Sequence, residues 1–129
     1  MLHCFTGTGE ELNAYLEMGL HIGITGWICY ERRGTHLRGL VRRIPLDRLM
    51  VETDAPFLVP RSMPKRPKDG RNEPAFLPYV LQTVAECLAK PPAEVAEATT
   101  KTAGEFSRLR ASDLPARRRV CRRGRPGAL

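Results

Sequence analysis

The sequence predicts an α/β protein with parallel strands, on three observations. Short apolar segments at residues 1–5, 21–25 and 49–53 alternate with stretches whose apolar residues recur at helical spacing. Those helical stretches carry recognisable start and stop signals. The strands are far enough apart for crossover helices of about 10–15 residues, which join neighbours in parallel rather than as hairpins.

Met1 to Phe5 reads as the first short strand. Thr8-Gly9-Glu10-Glu11 then has the Thr-x-x-Glu form of a capping box, in which side chain and backbone satisfy each other's open donors. Leu12, Tyr15 and Leu16 follow on one helical face, and Gly19 stands where a helix closes on a left-handed residue. His21 to Thr25 forms the second strand, closed by Gly26. After a polar loop, Cys29 to Gly34, Thr35 is placed to cap a second helix. Its Leu37, Leu40, Val41 and Ile44 fall at i, i+3, i+4 and i+7, and Pro45 ends it. Leu49 to Thr53 is the third strand, broken by Asp54-Ala55-Pro56. The loop from Phe57 to Glu73 is rich in Pro, Lys and Arg, and loops of that length in compact domains tend to be functional. Helices from Leu77 to about Ala89 and from Pro92 towards Phe106 complete three βα units plus an extra helix.

In parallel α/β folds ligands sit at the C-terminal ends of the strands. His3 and Asp54 lie at or near such ends and are the first candidates for chemistry. On spacing alone each has a structural alternative: a satisfied histidine in an apolar segment, and a turn-forming aspartate before Ala-Pro.

Composition sets further bounds. A complete (β/α)8 barrel takes about 250 residues, so a barrel reading treats these 129 residues as a piece. No apolar run approaches the roughly 20 residues of a membrane helix, and the N-terminus lacks a signal-peptide pattern. No membrane association and a cytoplasmic location are therefore expected. Four dispersed cysteines, Cys4, Cys29, Cys87 and Cys121, form no C-x-x-C pair, which argues against a zinc ribbon and a disulfide framework. The net charge of +7 is concentrated at one end: residues 108–129 hold eight Arg and one acid, while residues 1–107 hold 13 basic and 13 acidic side chains. A segment of Arg, Ala, Pro and Gly buries too little apolar surface to offset the cost of ordering, so 108–129 is expected to be a disordered tail. The charge balance thus gives little evidence of a nucleic-acid partner, although an Arg-rich arm could meet phosphates.

Longer strings decide more. His3-Cys4-Phe5-Thr6-Gly7, Ile22-Gly23-Ile24-Thr25-Gly26-Trp27-Ile28, Glu31-Arg32-Arg33-Gly34, Glu52-Thr53-Asp54-Ala55-Pro56 and Arg71-Asn72-Glu73-Pro74 occur in that order. Together they resemble the second half of the TatD family of metal-dependent deoxyribonucleases, from the first residues to about Thr100. The resemblance implies the C-terminal portion of a (β/α)8 TIM-type barrel over residues 1–107, with two divalent metals at the C-terminal face. It implies that His3 and Asp54 are metal ligands. The family's His-x-His pair, a Glu and another His have no match here, and no role passes to His21 or His36. Two departures stand out: Tyr30 where the family commonly has an acid, and Thr102 where it commonly has Asn.

That resemblance suits phosphodiester hydrolysis of DNA. Two cations about 3.5–4 Å apart can activate water and offset phosphoryl charge, and imidazole with carboxylate suits Mg, Mn or Zn. Asp54 could also take the proton of the attacking water. Glu52, on the same strand face, is read as packing the barrel interior rather than supporting the site. Arg33 and Arg71, with Lys68 less so, are candidate phosphate contacts at the mouth, and Trp27 a candidate surface for stacking on a base. Alone, the chain is expected to be inactive, to self-associate or to pair with a missing N-terminal half. The alternatives are a non-catalytic binding module and another barrel metallohydrolase.

Overall fold

The computed structural model describes residues 1–109. Of the Arg-rich segment expected to form a separate tail, residues 110–129 lie outside the described residues. The order is helix α1 (Gly9–Glu17), strand β1 (Ile22–Ile24), helix α2 (Thr35–Leu40), strand β2 (Leu49–Val51), helix α3 (Leu77–Leu88) and helix α4 (Pro92–Phe106), with 3₁₀ turns at Gly26–Cys29, Val41–Arg43 and Pro74–Phe76. β1 and β2 pair in parallel, Ile22 beside Leu49 and Ile24 beside Val51, so the α2 segment is the crossover of a βαβ unit.

The signals at α1 are present as read. Thr8 accepts from the Glu11 amide while Glu11 accepts from the Thr8 amide at 2.7 Å, and Gly19 has φ +75°. The N-terminal strand is shorter than expected. Only Leu2 bridges to Ile22, because Cys4 turns to φ +50° and leaves the extended region. β1 and β2 likewise hold three residues each, not five. The second helix also differs: Gly34, not Thr35, is its N-cap, with no side-chain cap, and its last turn tightens to 3₁₀ before Pro45. The apolar face read from the sequence nevertheless points inwards, with Leu37, Val41 and Ile44 buried.

The core joins the inward faces of all six elements: Leu12 from α1, Ile22 and Ile24 from β1, Leu37 from α2, Leu49 from β2, Val80 and Val84 from α3, and Val95 from α4. Each fully buried aliphatic side chain is worth about 1.5–3 kcal/mol relative to exposure, which fixes the strands and hence the loops at their C-terminal ends. No helix among the described residues is long and apolar enough to cross a membrane. Cys4, Cys29 and Cys87 are free thiols.

One glycine is required by a close approach. A Cβ on Gly26 would overlap the Leu58 carbonyl oxygen, so the turn after β1 and the loop after β2 meet backbone to backbone. Gly26→Ala is expected to destabilise the fold by about 1–3 kcal/mol through forced backbone shifts. Chemical denaturation measures it, and an unchanged midpoint would show that the two loops are not in contact.

Candidate metal centre

Leu2, β1 and β2 run in the same direction, so the residues that follow them share one edge. Those residues are His3 and Cys4, Thr25, and Glu52 to Asp54. The structure brings both ligand candidates together there: His3 Nε2 lies 3.2 Å from Asp54 Oδ1. The other ring nitrogen, Nδ1, lies 2.6 Å from Glu52 Oε2, which also accepts the Cys4 amide at 3.1 Å. Cys4 Sγ lies 3.3 Å from the buried Thr25 hydroxyl, and burial pushes the Cys4 thiol pKa up.

Glu52 is therefore not interior packing. It lies over Gly23, whose missing side chain makes the space; a Cβ there would overlap the Glu52 carboxylate. From that position it fixes the imidazole. A carboxylate accepting from Nδ1–H holds a histidine in the tautomer whose Nε2 lone pair is free to bind a metal. The Glu52 charge raises the His3 pKa above its ordinary value; burial opposes it, and the bond and charge of Asp54 add to the rise. The ring can then donate from both nitrogens, one to each carboxylate.

The Asp54 turn is held by a residue that the sequence reading passed over. Asn72 is buried, and its Nδ2 donates to the Thr53 and Phe57 carbonyls at 2.6 Å each, on either side of Asp54. Its backbone N–H donates to Pro56 O at 2.9 Å, and Phe57 N–H closes on Asp54 O at 2.8 Å. Asp54 itself sits at φ +56°. Such left-handed non-glycine residues cost about 1–3 kcal/mol and persist only where their surroundings enforce them; here the Asn72 clamp does so. The signal was in the sequence, within the Arg-Asn-Glu-Pro string, but nothing in a string shows which residue turns inwards. Asn72→Ala would leave two part-buried carbonyls without their donor, a loss of about 1 kcal/mol or more, and release Asp54. It should lower the melting temperature and weaken Mn binding together; a loss of stability with metal affinity intact would confine Asn72 to folding.

The phosphate candidates separate. Arg33 lines a concavity of about 720 Å³ with Tyr30, Arg32, Arg38, Arg61 and Arg66. Arg71 and Lys68 are exposed on the loop after β2 and line no part of it; Asp69 accepts the Arg71 backbone N–H. Trp27 is half-buried, with the Arg33 guanidinium 5.6 Å from its ring centre and Tyr30 beside it at 5.1 Å. It serves as a platform for an arginine rather than as an open face for a base.

A family described as TatD related DNase matches residues 1–107. The chain belongs to that family. It is 52% identical over 111 residues to a protein of Rahnella sp. (strain Y9602) named 3'-5' ssDNA/RNA exonuclease TatD, and 61% identical over 85 residues to the protein of that name from Pantoea ananatis (strain LMG 20103). Those matches take in 86% and 66% of this chain but 42% and 33% of the relatives. The chain thus spans less than half the length of the curated TatD proteins it matches. Among solved structures, a TatD homologue from Escherichia coli K12 aligns over 79% of this chain and 38% of its own, at 26% identity and TM-score 0.68. A TatD family hydrolase from Entamoeba histolytica aligns over 81% of this chain and 40% of its own, with TM-score 0.71 at 23% identity, and shows the same fold. The α/β segment described above is a portion of the TIM-type barrel of these hydrolases.

The TatD-type edge fits a divalent cation as far as its residues go. A donor pair around one cation at about 2.1 Å is separated by roughly 3.0 Å in octahedral and 3.4 Å in tetrahedral geometry. The 3.2 Å between His3 Nε2 and Asp54 Oδ1 falls in that interval. Glu52 Oε1, buried and without a hydrogen-bond partner, adds negative potential beneath the pair. Among the described residues no group of three or more His, Cys, Asp or Glu is arranged to hold a metal, so the pair supplies part of a coordination sphere.

Proposed function

We propose that His3 and Asp54 are the ligands this chain contributes to a TatD-type, metal-dependent nuclease site that hydrolyses phosphodiester bonds of DNA. The observation that carries the proposal is the three-part contact Glu52–His3–Asp54, with Nδ1 anchored at 2.6 Å and Nε2 presented beside a carboxylate oxygen at 3.2 Å. Support comes from family membership and from relatives named as 3'-5' exonucleases of single-stranded DNA and RNA. One imidazole nitrogen beside one carboxylate oxygen suits Mg, Mn or Zn. When bound, the cation would acidify a water and offset charge on the phosphoryl oxygens. His3 orients through Glu52 and offers nitrogen. Asp54 offers one oxygen to the cation, and its second oxygen can accept the proton of the attacking water, a transfer a positioned carboxylate performs well.

The test is a chimera in which residues 1–107 replace the matching segment of the Rahnella exonuclease, completing the barrel with the remaining strands. The chimera should release nucleotides from single-stranded DNA in Mg or Mn and stop when EDTA is added, whereas the 129-residue chain alone should not. A folded but inactive chimera, or activity of the chain alone, would contradict the proposal.

A further inference from the structure

The arginine-lined concavity does not stand alone. A second one, of about 600 Å³, is lined by Pro56, Phe57, Leu58, Val59, Pro67 and Gly70, and it shares Tyr30, Arg61 and Arg66 with the first. The two concavities adjoin at these shared side chains, the second reaching Pro56, two residues beyond Asp54, and the first reaching Arg32, Arg33 and Arg38; together they are read as one groove. Tyr30 stands at the junction.

The lining carries five arginines against one carboxylate, Glu31. Among the described residues none of the five makes an ion pair. Two are held by aromatic rings: Arg61 lies 4.6 Å from the Tyr30 ring centre and Arg33 5.6 Å from that of Trp27. The two rings touch at 5.1 Å and 46°, so the guanidinium groups are fixed on neighbouring platforms. Stacking leaves the in-plane N–H groups of a guanidinium free, the edge that grips a phosphate with two bonds. Arg38 is tied by its Nε to Ile28 O at 3.2 Å and adds charge with less reach. At the Asp54 end, Phe57 is 68% exposed, a large aromatic side chain on the turn that closes on Asp54.

We propose that this groove is the track of a single-stranded nucleic acid, with Arg33 and Arg61 gripping backbone phosphates, Arg66 adding a third contact and Phe57 stacking a base beside the metal site. Positive charge along a groove with an exposed aromatic ring is the pattern that binds unpaired strands without reading sequence. A duplex, with its bases stacked inside, would leave Phe57 unused. The proposal rests on the nuclease reading above for the identity of the polyanion.

The test measures binding of a fluorescent oligothymidylate of about 12 nucleotides, within the span of single-strand binding sites, to the full 129-residue chain in EDTA. Without metal or catalysis, its outcome does not depend on the chimera's activity. Removing one phosphate contact lowers the slope of log affinity against log salt by about 0.7 for a single strand. Arg61→Ser and Arg66→Ser should each do so; both residues are exposed, and circular dichroism checks the fold. Phe57→Ser should weaken binding about tenfold or more, the value of one stacked base. Tyr30→Asp, which removes the platform and neutralises Arg61, should weaken binding as Arg61→Ser does, while Tyr30→Phe should retain it. Unchanged slopes in both arginine variants would assign binding to residues 110–129 and overturn the proposal. Equal affinity for a duplex, or full affinity in folded Tyr30→Asp, would overturn it too.

Discussion

Asp54→Ala in the completed chimeric barrel is expected to lower exonuclease turnover by about 10³-fold or more. The variant removes a ligand oxygen and the candidate proton acceptor at once. Charge stabilisation by a catalytic cation is worth several kcal/mol, and each 1.36 kcal/mol is tenfold in rate. His3→Ala should fall into the same range. The two losses should not add, because either one dismantles the same coordination edge. Asp54 is only part-buried and His3 is exposed, so both variants should fold. Single-turnover rates with saturating Mn measure the effect, and a loss under tenfold for folded Asp54→Ala would remove Asp54 from the chemistry.

Glu52→Ala should weaken Mn affinity or turnover by about 10–100-fold, the usual cost of removing the carboxylate behind a ligating histidine. Glu52→Gln should recover part of this, because its amide oxygen can still accept from His3 Nδ1. Gly23→Ala should resemble Glu52→Ala although it touches no ligand. Its methyl would occupy the position of a carboxylate held between His3 and the Cys4 amide. Titration of each variant with Mn, followed by electron paramagnetic resonance, separates affinity from rate. Full affinity in Glu52→Ala would return Glu52 to a packing role.

Local signals were the most legible part of the fold. The Thr8 capping box and the left-handed Gly19 act within a few residues, so the sequence displays both partners. The apolar periods of the four helices survive for the same reason. What depends on distant contacts was misjudged: the N-terminal strand is cut short at Cys4, and the last turn of the second helix winds tighter than its period suggests. The site shows the same division. His3 and Asp54 stood out through the strings around them, and the parallel strand order required them to share an edge. Glu52 did not, because its role depends on the empty space over Gly23 in a neighbouring strand. Asn72 binds carbonyls 15 and 19 residues away, and a sequence does not show where a side-chain amide will find acceptors. Arg33 and Arg71 looked alike as loop cations; only the fold shows that the first stands over Trp27 in a basic groove while the second does not.

Anomalous diffraction from the Mn-loaded chimeric barrel tests the central claim most directly. A Mn peak is expected within about 2.0–2.3 Å of both His3 Nε2 and an Asp54 carboxylate oxygen, with Nδ1 still donating to Glu52. A Mn peak elsewhere, or a His3–Asp54 contact that persists at 3.2 Å with no metal between the two, would contradict it.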